Sequence, residues 1–297
     1  MTHINGIEDI KNGVIRATSI KFKEDPLRVY RVARFASELN FTVEKNTIKL
    51  MKDLKKELST LSAERVFCEF RKALATERPS KFFNILRQAE VIDIHFKEIN
   101  DLIGSEQPIK YHPEGDSYNH TMLAVDNSAK LTEDLLIRYS ALVHDLGKGT
   151  TPKEMYPHHY GHEERGVELV RNLSNRIKVP TAWKKAGITA CKEHMRGGIF
   201  GKMTPEKQVS FLERVSKSLL GIEGLQIVVY CDRNRIGTID SEEEKQCTFV
   251  NIGKKLLTEI DGKYIKENYN IKEGIELGKK IHEERVKRIR EYNLRET

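Results

Sequence analysis

The chain has 297 residues, enough for two or three compact units, because one hydrophobic core rarely grows past about 250 residues. Hydrophobic residues make up 38% and charged residues 32% of it, with only 8 prolines, which excludes a fibrous or disordered protein and favours helices. The net charge of +7 favours polyanionic partners.

Neither a membrane span nor a signal peptide is expected. No window approaches the roughly 20 apolar residues of a membrane helix, and the first residues have no apolar stretch of signal-peptide length. The 4 cysteines are scattered without a C-x-x-C pair, which predicts free thiols and a cytoplasmic location. No membrane partner is therefore expected.

The amino-terminal unit, residues 1–106, is predicted to be helical. Asp25 is a good N-cap and Pro26 suits a first helical position, which predicts a helix over 22–40. Arg28, Arg31 and Arg34 form a basic stripe on it at three-residue spacing. Further helices are predicted at the following positions: 44–58, 62–75 and 79–89.

A linker is predicted at 103–117, where Gly and Pro residues cluster. Beyond it, residues 107–238 are predicted to form a second helical domain, with helices over 120–131, 133–144, 162–177, 182–194, 205–218 and 225–233. Residues 239–297 read as a helical tail whose mixed charges favour a solvated face over RNA contact. No strand-rich region is evident, so the predicted fold class is all-α.

Histidines concentrate in the second domain, where 7 of the 10 lie between His112 and His194. The doublet His144-Asp145 follows an apolar helical segment, and Gly147 and Gly149 end that segment with little side-chain cover. Two adjacent polar side chains at the inner end of a helix can face a common cavity. This doublet is the centre of the candidate site.

A divalent cation in a hydrolytic site favours a mixture of neutral imidazoles and carboxylates, with positions left for water and substrate. His120, His144, Asp145 and Asp232 supply that mixture, and the bound ion would activate water for attack on phosphorus. Asp145 and Lys148 are the catalytic candidates, with Lys148 expected at a phosphate oxygen. The last two candidates, His162 and His194, would bind a second ion or the phosphate.

Each of these residues also has a structural explanation. A lone buried histidine is more often a hydrogen-bonded core residue, Asp232 alone would serve as a helix cap, and Lys148 favours a helix carboxyl terminus. The combination of spaced histidines, the His-Asp doublet and a distal aspartate favours the metal site. For His158 and His159, a surface role and a substrate-facing role remain equally open.

Four strings stand out in the second domain: His112-Pro113-Glu114-Gly115-Asp116, His120-Thr121, His144-Asp145-Leu146-Gly147-Lys148 and Gly161-His162-Glu163. With them the sequence resembles the neck and HD domain of bacterial tRNA nucleotidyltransferases, the CCA-adding enzymes and poly(A) polymerases. The resemblance implies that residues 1–106 are a helical neck with RNA-binding character and that residues 107–238 are an HD domain. Glu24-Asp25-Pro26-Leu27-Arg28 resembles the family's nucleobase-templating motif, and Arg65-x-x-x-Glu69 resembles its following neck motif. The resemblance implies nucleotide or RNA contacts at Glu24, Asp25, Arg28, Arg31, Arg34 and Arg65.

Two motifs of the family's catalytic head, Gly-Ser-x-x-Asp-x-Asp and Arg-Arg-Asp, do not occur in the chain. By itself it is therefore not expected to add CCA. The resemblance implies hydrolysis of phosphate esters, including 2′,3′-cyclic phosphates at RNA ends, with a divalent ion among Mg, Mn, Ni and Fe. The implied partners are a nucleotide or RNA 3′ end, tRNA among them.

Two alternatives to a hydrolase remain. In the first, the chain is the RNA-binding neck and tail of a split or truncated nucleotidyltransferase whose head lies on a separate polypeptide. In the second, it is an inactive remnant. The complete set of candidate ligands argues against the remnant, because random loss would remove members of the set.

Overall fold

The computed structural model describes residues 6–233, 247–269, 271 and 273–296. Its regular structure is almost entirely helical, which confirms the predicted all-α fold class. The predicted end of the HD domain at residue 238 lies outside the described residues. The division at residue 106 stays a prediction.

The neck contains seven α-helices and a short parallel pair of strands, β1 Val14–Ile15 and β2 Thr42–Val43. A 3₁₀ helix spans Ile20–Glu24. The α-helices are α1 Gly6–Lys11, α2 Arg28–Leu39, α3 Lys45–Asp53, α4 Lys55–Leu58, α5 Ala63–Leu74, α6 Ser80–Gln88 and α7 Lys97–Asn100.

Among the described residues, the region that follows has six longer helices and the tail has three more. The first six are α8 Ser117–Leu131, α9 Leu135–Val143, α10 His162–Arg176, α11 Thr181–Gly198, α12 Pro205–Ser216 and α13 Gly221–Arg233. Short 3₁₀ helices span Leu146–Thr150, Lys153–Met155 and Phe200–Lys202. The tail helices are α14 Val250–Glu259, α15 Gly262–Tyr269 and α16 Ile275–Glu296.

The helix predicted over 22–40 is divided at Asp25. Asp25 precedes Pro26 and is extended, with φ −132° and ψ 104°, because the proline ring disfavours helical conformation in the residue before it. Its carboxylate accepts a hydrogen bond from the Leu27 N–H at 3.1 Å. The long helix therefore begins at Arg28 rather than at Pro26.

The neck and the HD region share one hydrophobic core. Aromatic rings of α2, α5 and α6 pack on one another, and Phe70 of α5 meets Tyr139 of α9 with ring centroids 6.3 Å apart. A second core joins α12 and α13 to the tail, where Val286 and Ile289 of α16 are buried. The tail thus buries an apolar stripe in addition to its solvated face.

The glycine-rich and proline-rich segment 103–117 packs against the region that follows it. The Ser105 hydroxyl donates to the Lys148 carbonyl at 3.1 Å, and the Asp116 carboxylate accepts from the Gly104 N–H at 2.8 Å. Ser105 and Gln107 are buried. The segment predicted as a linker therefore forms one wall of the region around residue 148.

A glycine brings α10 close to the segment after His144-Asp145. A Cβ added at Gly147 would lie 1.9 Å from the His162 carbonyl oxygen and 2.8 Å from the Gly166 nitrogen. Only hydrogen fits at such a contact. The close approach carries His162, the first residue of α10, toward Asp145.

Within the described part of the chain, no helix combines the length and apolar character that a membrane crossing requires. The thiols of Cys68, Cys191 and Cys231 are free, as the sequence predicts.

Candidate metal centre

Three helices bring the four predicted ligands together. His120 lies within α8, His144 and Asp145 follow the end of α9, and Asp232 is the penultimate residue of α13. One ligand atom from each of the four lies within 4.8 Å of the others. The contact between His120 Nε2 and Asp232 Oδ1, at 2.9 Å, connects α8 to α13.

Asp145 lies between two groups of histidines. Its Oδ2 is 3.3 Å from His144 Nε2 and 3.6 Å from His120 Nε2. Its Oδ1 is 3.2 Å from His162 Nε2 and 3.3 Å from His194 Nε2. The second group, Asp145 with His162 and His194, also meets the 4.8 Å limit, so Asp145 is placed to be shared by two ions.

The histidine rings are held through Nδ1. The Nδ1–H of His144 donates to the Ala141 carbonyl at 2.7 Å, and that of His162 donates to the His159 carbonyl at 2.9 Å. His194 Nδ1 lies 3.0 Å from the carbonyls of Ala190 and Cys191. A carbonyl only accepts, so each Nδ1 carries the proton and each Nε2 is free to bind a cation.

The residues at the centre fit a divalent cation. Among the described residues, His144 Nε2 and Asp145 Oδ1 are buried without a hydrogen-bond partner of acceptable geometry, whereas Asp145 Oδ2 is ion-paired with Lys148. Buried polar atoms are almost always paired, and leaving them unpaired is costly. Unpaired nitrogen and oxygen lone pairs at one point are the arrangement that a transition-metal ion binds.

The charges of these groups are strongly coupled. Burial alone would lower the pKa of His144, but Asp145 and Asp232 outweigh it and raise that pKa to about 10. Burial alone would raise the pKa of Asp145, but Lys148 and His144 hold that pKa well below its ordinary range. Both carboxylates are therefore ionised at neutral pH, and a cation would compete with protons for the imidazoles.

Lys148 lies deeper than its predicted role at a phosphate suggests. Its Nζ is 2.6 Å from Asp145 Oδ2 and donates to Gln107 Oε1, also at 2.6 Å. The Lys148 residue is buried. Sequence reasoning missed Gln107, because a glutamine in a proline-containing segment carries no signal of its own.

Glu114 is a second residue that sequence reasoning did not assign to the site. Its Oε1 accepts hydrogen bonds from His120 Nδ1 at 2.8 Å and from His112 Nδ1 at 2.9 Å. Burial would raise the pKa of Glu114, but these two histidines hold it far below its ordinary value. The usual pairing of metal-binding histidines with carboxylates was a signal that could have identified it.

A cleft of about 350 Å³ borders the centre, and we call it the HD cleft. Its wall includes Gln107, Lys148, His159, Tyr160, Met195 and Arg233. His159 is held through both ring nitrogens, with Nε2 donating to the Glu106 carbonyl and Nδ1 accepting from the Thr151 hydroxyl, each at 2.9 Å. His158 is exposed. The two histidines that the sequence left open thus differ in their surroundings.

Three of the six residues predicted to contact nucleotide or RNA, all in the neck, form ion pairs. Arg65 Nη2 lies 3.1 Å from Asp25 Oδ2, and the buried Arg34 donates through Nε to Glu69 Oε2 at 2.7 Å. Arg28 donates to the Lys21 carbonyl. Arg31 and Glu24 are exposed. The predicted basic stripe is therefore divided, because Arg34 points into the neck core.

Two known families match parts of the chain. Residues 40–103 match the family described as "Probable RNA and SrmB- binding site of polymerase A", and residues 117–215 match the HD domain. Every candidate metal ligand except Asp232 lies inside the second match.

Curated relatives match most of the chain. The "Multifunctional CCA protein" of Mannheimia succiniciproducens is 40% identical over 78% of this chain and 58% of its own length. The protein of the same name from Acinetobacter baylyi is 34% identical over 96% of this chain and 70% of its own length. The chain thus spans less than two thirds of the first of these relatives.

Among solved structures, the "Thermotoga maritima CCA-adding enzyme complexed with tRNA_CCA" has a similar fold. It superposes with a TM-score of 0.56 at 18% identity and covers 95% of this chain and 62% of its own. At such low identity, the similarity shows a common fold and nothing more.

Proposed function

The chain belongs to the family of multifunctional CCA proteins, and we propose that its HD domain is a metal-dependent phosphohydrolase. The proposed substrates are nucleotides or RNA ends with phosphate esters such as 2′,3′-cyclic phosphates. The observation that carries the proposal is the group formed by His120, His144, Asp145 and Asp232, whose ligand atoms meet within 4.8 Å.

The donor set favours a transition-metal ion over Mg²⁺. Two imidazole nitrogens and two carboxylates suit Fe, Ni or Mn, whereas Mg²⁺ prefers oxygen ligands and retains its waters. When bound, such an ion supplies Lewis acidity that makes water a nucleophile near neutral pH and offsets charge on a phosphate ester. His162 and His194, on the other carboxylate oxygen of Asp145, are the proposed ligands of a second ion.

The remaining residues would orient the ligands and the substrate. Glu114 fixes the ring of His120 through Nδ1, so that Nε2 points to the centre. Lys148 holds one Asp145 oxygen and places a positive charge at the inner end of the HD cleft, where a phosphate would enter. Gln107 fixes the Lys148 ammonium group.

The test combines metal analysis with hydrolysis. The purified protein should contain or bind about one or two divalent ions per chain and hydrolyse adenosine 2′,3′-cyclic phosphate. Asp145→Asn should abolish both properties. A matched control is Asp93→Asn, which removes an exposed carboxylate paired with Lys55 at 2.8 Å. Inactivity with every divalent ion tried, or full activity of Asp145→Asn, would reject the proposal.

A second candidate function is RNA binding by the neck. In this alternative, the neck serves a nucleotidyltransferase whose catalytic head is a separate polypeptide. The specific observation is the match of residues 40–103 to an RNA-binding family. The solved relative whose printed name includes tRNA has the same fold, and we extend that partner to this chain as a proposal. A cytoplasmic location, consistent with cysteines that are scattered without a C-x-x-C pair, is proposed with it.

Filter binding of tRNA at several salt concentrations tests this candidate. The double variant Arg28→Ala with Arg31→Ala should weaken binding and reduce the salt slope, because each phosphate contact releases counterions. Arg34 is left intact, since removing it would strand the buried Glu69 carboxylate. Binding that does not respond to salt would reject the neck as an RNA site.

A further inference from the structure

We propose that the HD cleft binds one unpaired nucleotide, whose base stacks on the rings of His158 and Tyr160 while its phosphate points toward Lys148. We call this pair of rings the platform. The inference rests on the proposed phosphohydrolase function and adds the residues that select the base of its nucleotide substrate. The ligand would be either a free mononucleotide or the terminal nucleotide of an RNA.

The platform is an exposed aromatic surface at the cleft. The rings of His158 and Tyr160 lie nearly parallel, with centroids 5.5 Å apart and an interplanar angle of 20°. Tyr160 is nevertheless 71% exposed. Since His158 lies against one face of the Tyr160 ring, most of the other face is open. A large exposed aromatic ring beside a buried polar centre indicates a surface for a planar ligand.

The backbone of the platform is held in place. Between the two rings, His159 is bonded through both of its ring nitrogens. Arg165 Nη1 donates to the Tyr160 carbonyl at 2.5 Å, and its Nε and Nη2 donate to the hydroxyls of Thr150 and Thr151 at 2.9 Å. A prearranged surface loses little conformational entropy when a ligand binds.

The platform is also connected to the metal centre. Tyr160 lies two residues before His162, and the His159 carbonyl accepts the Nδ1–H of His162 at 2.9 Å. A base on the platform would therefore lie in a fixed relation to one of the candidate ligands. Such a connection orients a phosphate attached to that base.

The other parts of the cleft wall fit the rest of a nucleotide. Lys148 and Arg233 supply positive charge, and Met195 of α11 supplies an apolar side chain that is 44% exposed. The volume of about 350 Å³ lies at the lower end of small-ligand sites, about 300–1,000 Å³. Glu163 and Asp232 also line the cleft, so its wall carries both charges, and a divalent ion at the centre would add to the positive side. Such a wall with an aromatic rim suits a phosphate joined to a planar base.

The platform also excludes paired bases. A paired base carries its partner and its stacked neighbour with it, so entering a cleft of about 350 Å³ would require unpairing and unstacking. A free nucleotide or an unpaired 3′ end meets no such cost. Selectivity for single-stranded ends follows from this arrangement.

The first experiment compares two substrates that differ only in the base. Adenosine 2′,3′-cyclic phosphate is set against methyl ribofuranoside 2′,3′-cyclic phosphate, which has no base. Tyr160→Ala should raise KM for the adenosine substrate about tenfold or more, with kcat within about twofold, and leave the base-free substrate unchanged. Tyr160→Phe keeps the ring and should match the wild type. Equal effects on both substrates, or no effect on either, would overturn the inference.

A binding measurement separates this inference from the proposed function. Adenosine has no phosphate to hydrolyse, so its contact with the protein can be followed by saturation-transfer NMR even if no substrate is turned over. The adenine protons should receive saturation from the wild type and from Tyr160→Phe, and lose most of it with Tyr160→Ala. Equal transfer from Tyr160→Ala would overturn the platform while leaving hydrolysis intact.

Oligoribonucleotides distinguish the two sources of the nucleotide. One single strand ending in a 2′,3′-cyclic phosphate is compared with the same end in a blunt duplex and with the free cyclic nucleotide. The single-stranded end or the free nucleotide should give the highest kcat/KM, and the better of the two identifies the source. A duplex end hydrolysed as fast as the single strand would overturn selection for an unpaired base.

Discussion

His120 Nε2 and Asp232 Oδ1 lie 2.9 Å apart although 112 residues separate them in the sequence. The contact joins the middle of α8 to the end of α13, with the His144-Asp145 doublet beside it. Two of the four candidate ligands of the first ion thus depend directly on how these two helices are packed.

Replacing Asp232 by asparagine should reduce divalent-ion affinity by at least about 100-fold, because an anionic ligand at the centre is lost. Titration against a fluorescent chelator measures the affinity. Wild-type affinity in Asp232→Asn would show that the aspartate only anchors His120.

Glu114→Gln should weaken ion binding by about 10- to 100-fold, the usual effect of removing the partner of a metal-binding histidine. The glutamine amide has no negative charge, whereas one carboxylate oxygen of Glu114 accepts from the rings of both His112 and His120. The same chelator titration applies, with Glu133→Gln as an exposed control. A loss confined to thermal stability, with unchanged ion affinity, would contradict this role.

Gly147→Ala should destabilise the protein by about 3 kcal/mol or more, because the new methyl group would overlap the His162 carbonyl at 1.9 Å. The matched control is Gly278→Ala in α16, where no described heavy atom lies within 4 Å, and helix propensity should leave stability equal or higher. Denaturant melts give both values. Similar midpoints for the two variants would exclude the close approach of α10.

The neck should lose stability at acid pH through His95. Burial and the charge of Arg176 lower the pKa of His95, and the ring accepts a hydrogen bond from the Tyr30 hydroxyl at 2.6 Å. The pKa of His95 is therefore lower in the folded protein than in the unfolded chain, where it is about 6.5. Such a group contributes to folding stability fully above the unfolded-state pKa, and that contribution is lost as the pH falls through the folded-state pKa.

His95→Gln should therefore flatten the fall in stability between about pH 7.5 and 5.5, since the amide oxygen still accepts from Tyr30 but does not titrate. Denaturant midpoints at both pH values measure the change. His158→Gln, at an exposed ring, serves as the control. An unchanged pH slope in His95→Gln would assign the acid loss to other groups.

Much of the fold and of the candidate site was predictable from the sequence. Apolar periodicity identified most of the long helices to within a few residues, for example the one observed as His162–Arg176 and predicted over 162–177. It missed the breaks at Asp25 and Leu54, which divide the helices predicted over 22–40 and 44–58. Residue chemistry identified His120, His144, Asp145 and Asp232 as a group, because only those residue types supply the lone pairs that a cation needs.

Other features depended on tertiary packing. Nothing in a basic stripe indicates that Arg34 points inward to Glu69 while Arg31 stays exposed, because the partner comes from another helix. Lys148 was expected at a phosphate, yet its ammonium group lies against Asp145 and Gln107. Local sequence does not specify which charges become neighbours.

The sequence by itself determined the helical class and which side chains are chemically able to hold a metal ion, since both follow from residue type and local spacing. Only the tertiary structure decided that Asp145 faces two histidine groups, that Glu114 and Gln107 support the site, and that His158 and Tyr160 stack at the cleft. Those relations are distances between helices and loops remote along the chain, and packing of the whole core sets them.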